Sequence, residues 1–528
     1  MPVKTRVSAQ PAADLKPAAA QPILVSQGMT LRDLLVGAPS TQPVGNLDSE
    51  ITSVACDSRQ VRAGSLFVAM RGEKTDGNRF VADAASRGAV AVASEVPRPA
   101  ELSPSVEWIR VANARRFLAA VSANFYGRPT DSLKLVGITG TNGKTTTSYL
   151  LDSILRAAGH KTGLFGTIAH RTPLATYPAS NTTPESLDLQ RFLAEVRDSA
   201  GTHAVLEASS HALVMDRLWG CPFAVAVFTN LTRDHLDFHK DFDDYFAAKR
   251  RLFEGTGHGV PAVGVVNSDD AYGKQLASLA RRTLTYGLQN GAEVTTKKFG
   301  LSSSGLEFTV QTPAGKVEIQ SPLVGRINVY NILAAVAAGV ALEIPRDKIE
   351  AGIRQLAYVP GRFERIDAGQ PFHVVVDYAH TDDALRNLLA TAAELNKSGR
   401  IITLFGCGGD RDRTKRPLMG EAAGQASSLV VLTSDNPRTE DPLRIINDAV
   451  VGLQKARAQY RVEPERERAI ELALEEARSG DIVLLAGKGH ETYQILGDRR
   501  IPFHDGEVAR RVLARLGYGT QPGGQAGS

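Results

Sequence analysis

The stretch Gly140-Thr141-Asn142-Gly143-Lys144-Thr145-Thr146 constrains this chain more than any other. Ahead of it, Leu133-Lys134-Leu135-Val136-Gly137-Ile138 reads as a buried strand, and residues 146–158 carry apolar side chains at helical spacing. A glycine-rich bend between a buried strand and a helix N-terminus gathers backbone N–H groups around one point. A lysine beside it supplies positive charge, and together they hold phosphates. Strand, loop and helix in that order is the setting a P-loop requires. The strict Walker pattern would place glycine at 138, where Ile138 stands, so with Gly137 as the nearest glycine the loop is a variant. Lys144 is the phosphate lysine, and the hydroxyl of Thr145 or Thr146 is placed to reach a magnesium ion bridging the phosphates. The expected ligands are a nucleoside triphosphate and Mg2+.

Such a loop belongs to a parallel α/β sheet, and the neighbouring sequence agrees. Strand-like runs at Ala204-Val205-Leu206, Ala224-Val225-Ala226-Val227-Phe228 and Gly264-Val265-Val266 alternate with helical sequence, which predicts a largely parallel sheet with crossover helices. Residues 283–324, with turns at Gly300, Gly305 and Gly315, predict antiparallel pairing. At 528 residues the chain is too long for one core, and roughly 100 to 200 residues per domain predicts three. The fold class is α/β throughout. Residues 28–129 read as a small α/β domain, 130–359 as a central P-loop ATPase-like domain, and 360–518 as a Rossmann-like domain with strands near 372–377, 400–405, 429–433 and 481–485. The Ala-, Pro- and Gln-rich residues 1–27 and the Gly- and Gln-rich residues 519–528 read as a disordered extension and tail.

Composition narrows the partners. Hydrophobic residues at 43% and charged residues at 22% suit a soluble protein, and 61 basic against 57 acidic side chains leave a dispersed +4. That excess is too small to argue for nucleic acid or a membrane surface. Cys56, Cys221 and Cys407 form no C-x-x-C pair, the N-terminus lacks an apolar signal core, and the apolar run 332–342 is short of the roughly 18 to 20 residues a bilayer span needs. We expect a cytoplasmic monomer acting on small molecules.

Other chemistry-bearing residues stand at strand ends, where a parallel sheet presents its ligand edge. Glu207 follows one strand and is a second candidate for magnesium. Thr229-Asn230-Leu231-Thr232-Arg233-Asp234-His235-Leu236-Asp237-Phe238-His239 follows another. His235 and His239 have zinc-pair spacing, but no H-E-x-x-H or cysteine ligand accompanies them, so zinc is set aside. By periodicity alone, Lys249-Arg250-Arg251 reads as a solvated basic face.

In order along residues 28–518, further motifs complete the picture. They are Asp57-Ser58-Arg59, Asn181-Thr182-Thr183, Glu207-Ala208-Ser209-Ser210-His211, Asp377-Tyr378-Ala379-His380-Thr381, Gly408-Gly409-Asp410-Arg411, Asp435-Asn436-Pro437-Arg438 and Gly487-Lys488-Gly489-His490-Glu491. With them the sequence resembles the Mur ligases, the ATP-dependent enzymes that build the peptide of bacterial peptidoglycan.

The resemblance implies an amide ligase that forms an acyl phosphate on a UDP-muramoyl dipeptide and resolves it with an amino acid. It implies that residues 140–146, Asn328, Asn331, Asp377 and His380 serve ATP. Lys144, Glu207, His235 and Lys249 become catalytic, with Thr145, Glu207, His235 and a carbamate on Lys249 (N6-carboxylysine) around magnesium. Ser58, Asn181, Thr182, Thr183, Ser209 and Arg217 line the path of the UDP-sugar dipeptide. Arg411, Asp435, Asn436, Pro437, Arg438, Gly487 and Glu491 receive the amino acid.

Diaminopimelate ends in a carboxylate plus an ammonium, where lysine has the ammonium alone. An arginine makes a two-point contact with a carboxylate and repels an ammonium, so Arg438 selects diaminopimelate, with Arg411 on the other carboxylate. The alternative is a sibling ligase using L-lysine or another amino acid; D-glutamate or dipeptide adders and folylpolyglutamate synthases share the loop but are disfavoured by Asp-Asn-Pro-Arg. A regulatory GTPase would need Asn-Lys-x-Asp, and the chain has Asn396-Lys397-Ser398-Gly399; the Gly406-Cys407-Gly408-Gly409 run is not the G-x-G-x-x-G of a dehydrogenase. Three positions depart from the family: Asp382 replaces a common proline, Met215 a frequent polar residue, and Glu73-Lys74-Thr75 the usual uridine-side loop.

Overall fold

The computed structural model describes residues 28–39, 41–72, 75–289, 291–302 and 304–519. The readings of residues 1–27 and 520–528 as disordered, and the departure at Glu73-Lys74, lie outside them. Among the described residues, three large sheets carry the chain, of five, twelve and six strands. In the first, Ser53–Ala55, Ser65–Ala69, Ala89–Ser94 and Glu107–Val111 run parallel and Thr41–Val44 closes one edge antiparallel.

The second sheet centres on Lys134–Thr139, whose Leu135, Val136 and Ile138 are all fully buried, as a parallel strand covered on both faces requires. His203–Glu207 and Phe223–Phe228 flank it in parallel, followed outward by Thr162–Phe165 on one side and Val263–Asn267 and Arg282–Gly287 on the other. Helices Lys144–Ala157 and Arg326–Ala341 fill one face with Leu150, Ile154, Ile332 and Leu333. Helices Ser186–Asp198 and Phe242–Glu254 fill the other with Phe192, Leu193, Tyr245 and Phe253. The apolar run at 332–342 is thus a core helix, and no described helix is long and apolar enough to cross a membrane.

Antiparallel pairing starts later than the sequence suggested. Arg282–Gly287 joins in parallel, because the helix Ala271–Leu276 returns the chain to the same end of the sheet before it. On this side of the sheet, strands turn back directly only from Thr295, opposite Gln311, and Gly305–Thr312 and Gly315–Ser321 then form a tight ladder; at the opposite edge Ala169–Arg171 pairs antiparallel with Thr162–Phe165 and Thr176–Pro178.

The third sheet runs parallel through His373–Asp377, Ile482–Ala486, Ile401–Phe405, Leu429–Leu432 and Tyr460–Val462, with Glu364–Ile366 antiparallel at the edge. Apolar clusters on both its faces make it doubly wound. Its strand ends at Asp377, Phe405, Leu432 and Ala486 put the loops that follow them along one edge.

Candidate active site

The phosphate loop leaves its strand at Thr139 and enters its helix at Lys144. Gly140 has φ 141° and Gly143 φ 87°, conformations that side chains rarely adopt. Each glycine is also forced by crowding: a Cβ on Gly140 would lie 1.9 Å from Thr229 Oγ1, and one on Gly143 would lie 2.4 Å from Asn331 Oδ1. Gly143→Ala is expected to cost about 1–2 kcal/mol in backbone strain. It should raise the KM for ATP at least about tenfold, since 1.4 kcal/mol of binding is a factor of ten; an unchanged KM would show that the loop tolerates a methyl group.

Lys144 Nζ donates to the Gly140 and Thr141 carbonyls at 2.9 and 2.8 Å. Enclosure lowers its pKa, a cost that phosphate charge would reverse. Thr145 Oγ1 donates to Glu207 Oε2 at 3.0 Å. Glu207 is fully buried and also accepts from the backbone N–H and hydroxyl of Thr167, both at 2.9 Å. Taken alone Glu207 could have been a solvated strand-end residue, and the structure places it in the floor of the site. Asn331 Nδ2 donates to Asn328 Oδ1 at 2.9 Å, and Asn328 Nδ2 to the Val324 carbonyl at 2.7 Å. Neither caps the helix, whose N-cap is Gly325.

Lys249 sits on helix Phe242–Glu254 and is 1% exposed, while its neighbours Arg250 and Arg251 face solvent. The basic-face reading therefore holds for the two arginines and fails for the lysine. Lys249 Nζ donates to the Gly140 carbonyl at 2.8 Å and lies 4.3 Å from the Tyr245 ring centre. Burial first, and then the Lys144 charge, lower its pKa far below that of a free lysine. His235, at φ 55°, lies beside Asp234 with Nε2 3.4 Å from Oδ2. Enclosure holds this imidazole neutral against the pull of Asp234. His239 turns elsewhere, between Ser210 at 2.9 Å and Asp244 at 3.1 Å.

One cleft of about 1350 Å³ joins the three units. Ser58 from the first lines it with Asn181, Thr182, Ser209 and Arg217 of the second. Thr183 stands behind that wall, fully buried, donating to the Glu207 carbonyl at 2.6 Å and taking the Ser209 N–H at 3.1 Å. Arg217 Nη1 donates to the Thr183 carbonyl at 3.0 Å, and Met215 Sδ lies 3.7 Å from Arg217 Nη2.

From the third unit, His380 Nε2 lies 3.9 Å from Asp234 Oδ2. Its Nδ1 is 2.9 Å from the Tyr378 carbonyl, which can only accept, so Nδ1 carries the proton. Both Asp377 oxygens are already engaged, by the Phe363 and Ala379 N–H groups at 2.7 and 2.8 Å, so this carboxylate shapes the turn at the cleft. Asp382 starts helix Asp382–Leu395 after the N-cap Thr381 and pairs with Arg386 at 2.6 Å. Aspartate and proline both suit the first helical position, so the departure is local.

Arg411, Arg438 and Glu491 line the far end of the cleft. Arg438, at φ 53°, donates to the Gly409 carbonyl at 2.7 Å. Asp435, Asn436, Pro437 and Gly487 stand behind it; the Asn436 amide donates to Glu491 Oε2 at 2.9 Å, and the Gly487 N–H to the Asp377 carbonyl at 3.0 Å.

Four contributors were missed in the sequence. Arg362 donates to Thr145 Oγ1 at 3.2 Å from 217 positions away and stacks on Tyr378, bringing a third-unit cation to the phosphate loop. Asp383 accepts from Asn142 Nδ2 at 2.7 Å. Thr167 holds Glu207, and the fully buried Lys488 donates to Glu491 at 2.9 Å. Lys488 alone was legible, as an unexplained charge inside a glycine-rich motif.

Comparison with known proteins agrees along most of the chain. The model of the Mur ligase middle domain matches residues 138–339, that of the Mur ligase, glutamate ligase domain residues 361–489, and that of the Mur ligase family, catalytic domain residues 50–126. A UDP-N-acetylmuramoyl-L-alanyl-D-glutamate--2,6-diaminopimelate ligase from Solibacter usitatus is 53% identical over 493 residues, covering 93% of this chain and 99% of the relative. A solved structure of a ligase of that same name is 33% identical with a TM-score of 0.65, covering 93% of this chain and 100% of its own. The MurF ligase from Thermotoga maritima in complex with ADP shares the fold at a TM-score of 0.59 and 18% identity, over 88% of this chain and 96% of its own.

Proposed function

The chain belongs to the Mur ligase family, and from that premise we propose that it joins meso-2,6-diaminopimelate to UDP-N-acetylmuramoyl-L-alanyl-D-glutamate, driven by ATP. The observation that carries this reading is a single cleft in which a phosphate loop on one unit faces Arg411, Arg438 and Glu491 on another.

In the first step an oxygen of the D-glutamyl carboxylate attacks the γ-phosphorus, the bond to the β–γ bridging oxygen breaks, and ADP leaves. In the second, an amine nitrogen of diaminopimelate attacks the acyl carbon, phosphate leaves with the C–O electrons, and the nitrogen gives up a proton. Both steps crowd anions together, so preorganised cations and N–H groups do most of the work. Lys144, the loop N–H groups and Arg362 hold the phosphates. His235 and His380 are both held neutral by enclosure, so neither adds a fixed charge to the site.

Magnesium takes few protein ligands, all hard oxygens, beside phosphates and water. The paired Thr145 hydroxyl and buried Glu207 carboxylate fit that demand, with His235 beside them. Lys249, kept as a free amine, can add to carbon dioxide with loss of a proton, and the resulting carbamate oxygens would complete the set. When bound, the ion neutralises charge on the transferring phosphoryl group.

At the far end Arg438 and Arg411 take carboxylates, and Glu491 keeps one oxygen for the distal ammonium while the other rests on Lys488. The three cysteines are free, which suits a reducing cytoplasm. The enzyme acts there as a monomer on small molecules.

The test is direct. Protein supplied with ATP, magnesium and the UDP-muramoyl dipeptide should join diaminopimelate, with one ADP formed per tripeptide weighed by mass spectrometry. Joining only lysine, or neither amino acid, would overturn the proposal.

A further inference from the structure

We infer that Arg416, which lies outside the cleft, is a positioning residue for amino-acid selection, locking together the two loops that carry Arg411 and Arg438. The inference rests on reading those arginines as the diaminopimelate receptor.

Both loops hold strained backbone at the point of use. Asp410, immediately before Arg411, has φ 51°, and Arg438 itself has φ 53°. Such conformations persist in non-glycine residues only where the surroundings over-determine them. The two guanidinium groups also face the same space and repel each other, so neither loop would hold its place unaided.

The restraint lies beneath them. Arg416, 1% exposed near the start of helix Lys415–Ala426, forks onto Glu440 with Nη2 to Oε1 at 2.7 Å and Nη1 to Oε2 at 2.9 Å. Its Nη1 also donates to Asp448 Oδ2 at 2.9 Å on helix Pro442–Lys455, and its Nη2 to the Gly408 carbonyl at 3.2 Å. Glu440 Oε1 in turn takes the Asp410 N–H at 2.5 Å. The Asp410 carboxylate takes the Thr439 hydroxyl at 2.8 Å and the Thr439 N–H at 3.2 Å, closing the ring between the loops. The Arg438 carbonyl accepts from the Gly497 N–H at 2.7 Å, and the Arg438 N–H reaches the Ile495 carbonyl at 3.2 Å, which pins the second loop from the other side.

A buried arginine between two carboxylates is a poor source of stability compared with apolar packing. What apolar packing could not supply is the fixed two-pronged geometry that sets one loop against the other.

Arg416→Met and Glu440→Gln, measured against the unaltered enzyme, test this. Each should raise the KM for diaminopimelate about 10- to 100-fold, as residues that orient ligands from behind commonly do. The KM values for ATP and the UDP-dipeptide should stay within about twofold, and Arg416→Lys, which cannot fork, should restore little. An unchanged KM for diaminopimelate, or an equal rise in all three, would overturn the inference. Glu440 is partly exposed, so Glu440→Gln remains decisive if Arg416→Met fails to fold. Amide hydrogen exchange at residues 408–411 and 435–440, followed without substrate, should quicken in Glu440→Gln, and unchanged exchange would refute the lock by itself. An unaltered enzyme that does not join diaminopimelate would instead refute the functional reading.

Discussion

Lys249→Met should stop ligation and at the same time make the chain more resistant to heat at neutral pH in carbon dioxide-free buffer. The loss of activity should reach about a thousandfold, the scale of removing one preorganised electrostatic group from a closed site. The gain in stability follows from the sign of the pKa shift. The native amine titrates well below an unfolded lysine, lowered by burial first and Lys144 second. The unfolded chain therefore binds a proton that the native chain does not, and wild-type stability rises with pH from the native value up to the unfolded one, about 10.4. At pH 7, below the unfolded value, the wild type carries a penalty of this kind, and methionine carries none. The difference in unfolding midpoint, variant minus wild type, should be positive at pH 7 and shrink toward zero near pH 10. Wild-type protein given 13C-labelled bicarbonate should show a carbamate carbon that the variant lacks. An active Lys249→Met sinks the carbamate role, and a lower midpoint at pH 7 overturns the destabilising buried amine.

Arg438→Leu should erase the preference for diaminopimelate over lysine. Taking one partner from a desolvated, hydrogen-bonded charge pair costs about 2–5 kcal/mol. The corresponding fall in kcat/KM for diaminopimelate is roughly 30- to 4000-fold. Lysine offers no carboxylate to Arg438 and so loses little, while removal of the repulsive guanidinium improves its entry. Calorimetric binding of ATP should be unchanged, because the phosphate loop belongs to the central unit. An unaltered ratio of diaminopimelate to lysine turnover would show that the receptor lies elsewhere.

The phosphate loop was legible because its chemistry is local. Consecutive residues supply the bend, the N–H groups and the lysine, and the flanking periodicities supply the strand and helix. Lys249 shows a middle case. Its two arginine neighbours do face water, but Tyr245, Lys249 and Phe253 recur at four-residue spacing, so the lysine falls on the buried stripe of its helix. A count of charges hides this, and the stripe shows it. The parallel entry of Arg282–Gly287 was misread because strand patterns alone do not record direction; the helix before it does.

Arg362 on Thr145, Asp383 on Asn142 and the Arg416 ring belong to a third kind. Each joins residues that neither spacing nor propensity relates, so no window along the chain contains both partners. By itself the sequence determined the α/β class, the order of the strands and helices, the phosphate loop and the chemical types available for a site. Those follow from backbone sterics and side-chain periodicity within a few turns. Only the tertiary structure decided that one cleft takes residues from all three units, that Glu207 and Lys249 are buried beside it, and that both Asp377 oxygens accept backbone N–H groups. Burial, and with it the charge state of a lysine, depends on everything packed around a group, and most of those neighbours lie far away in the chain.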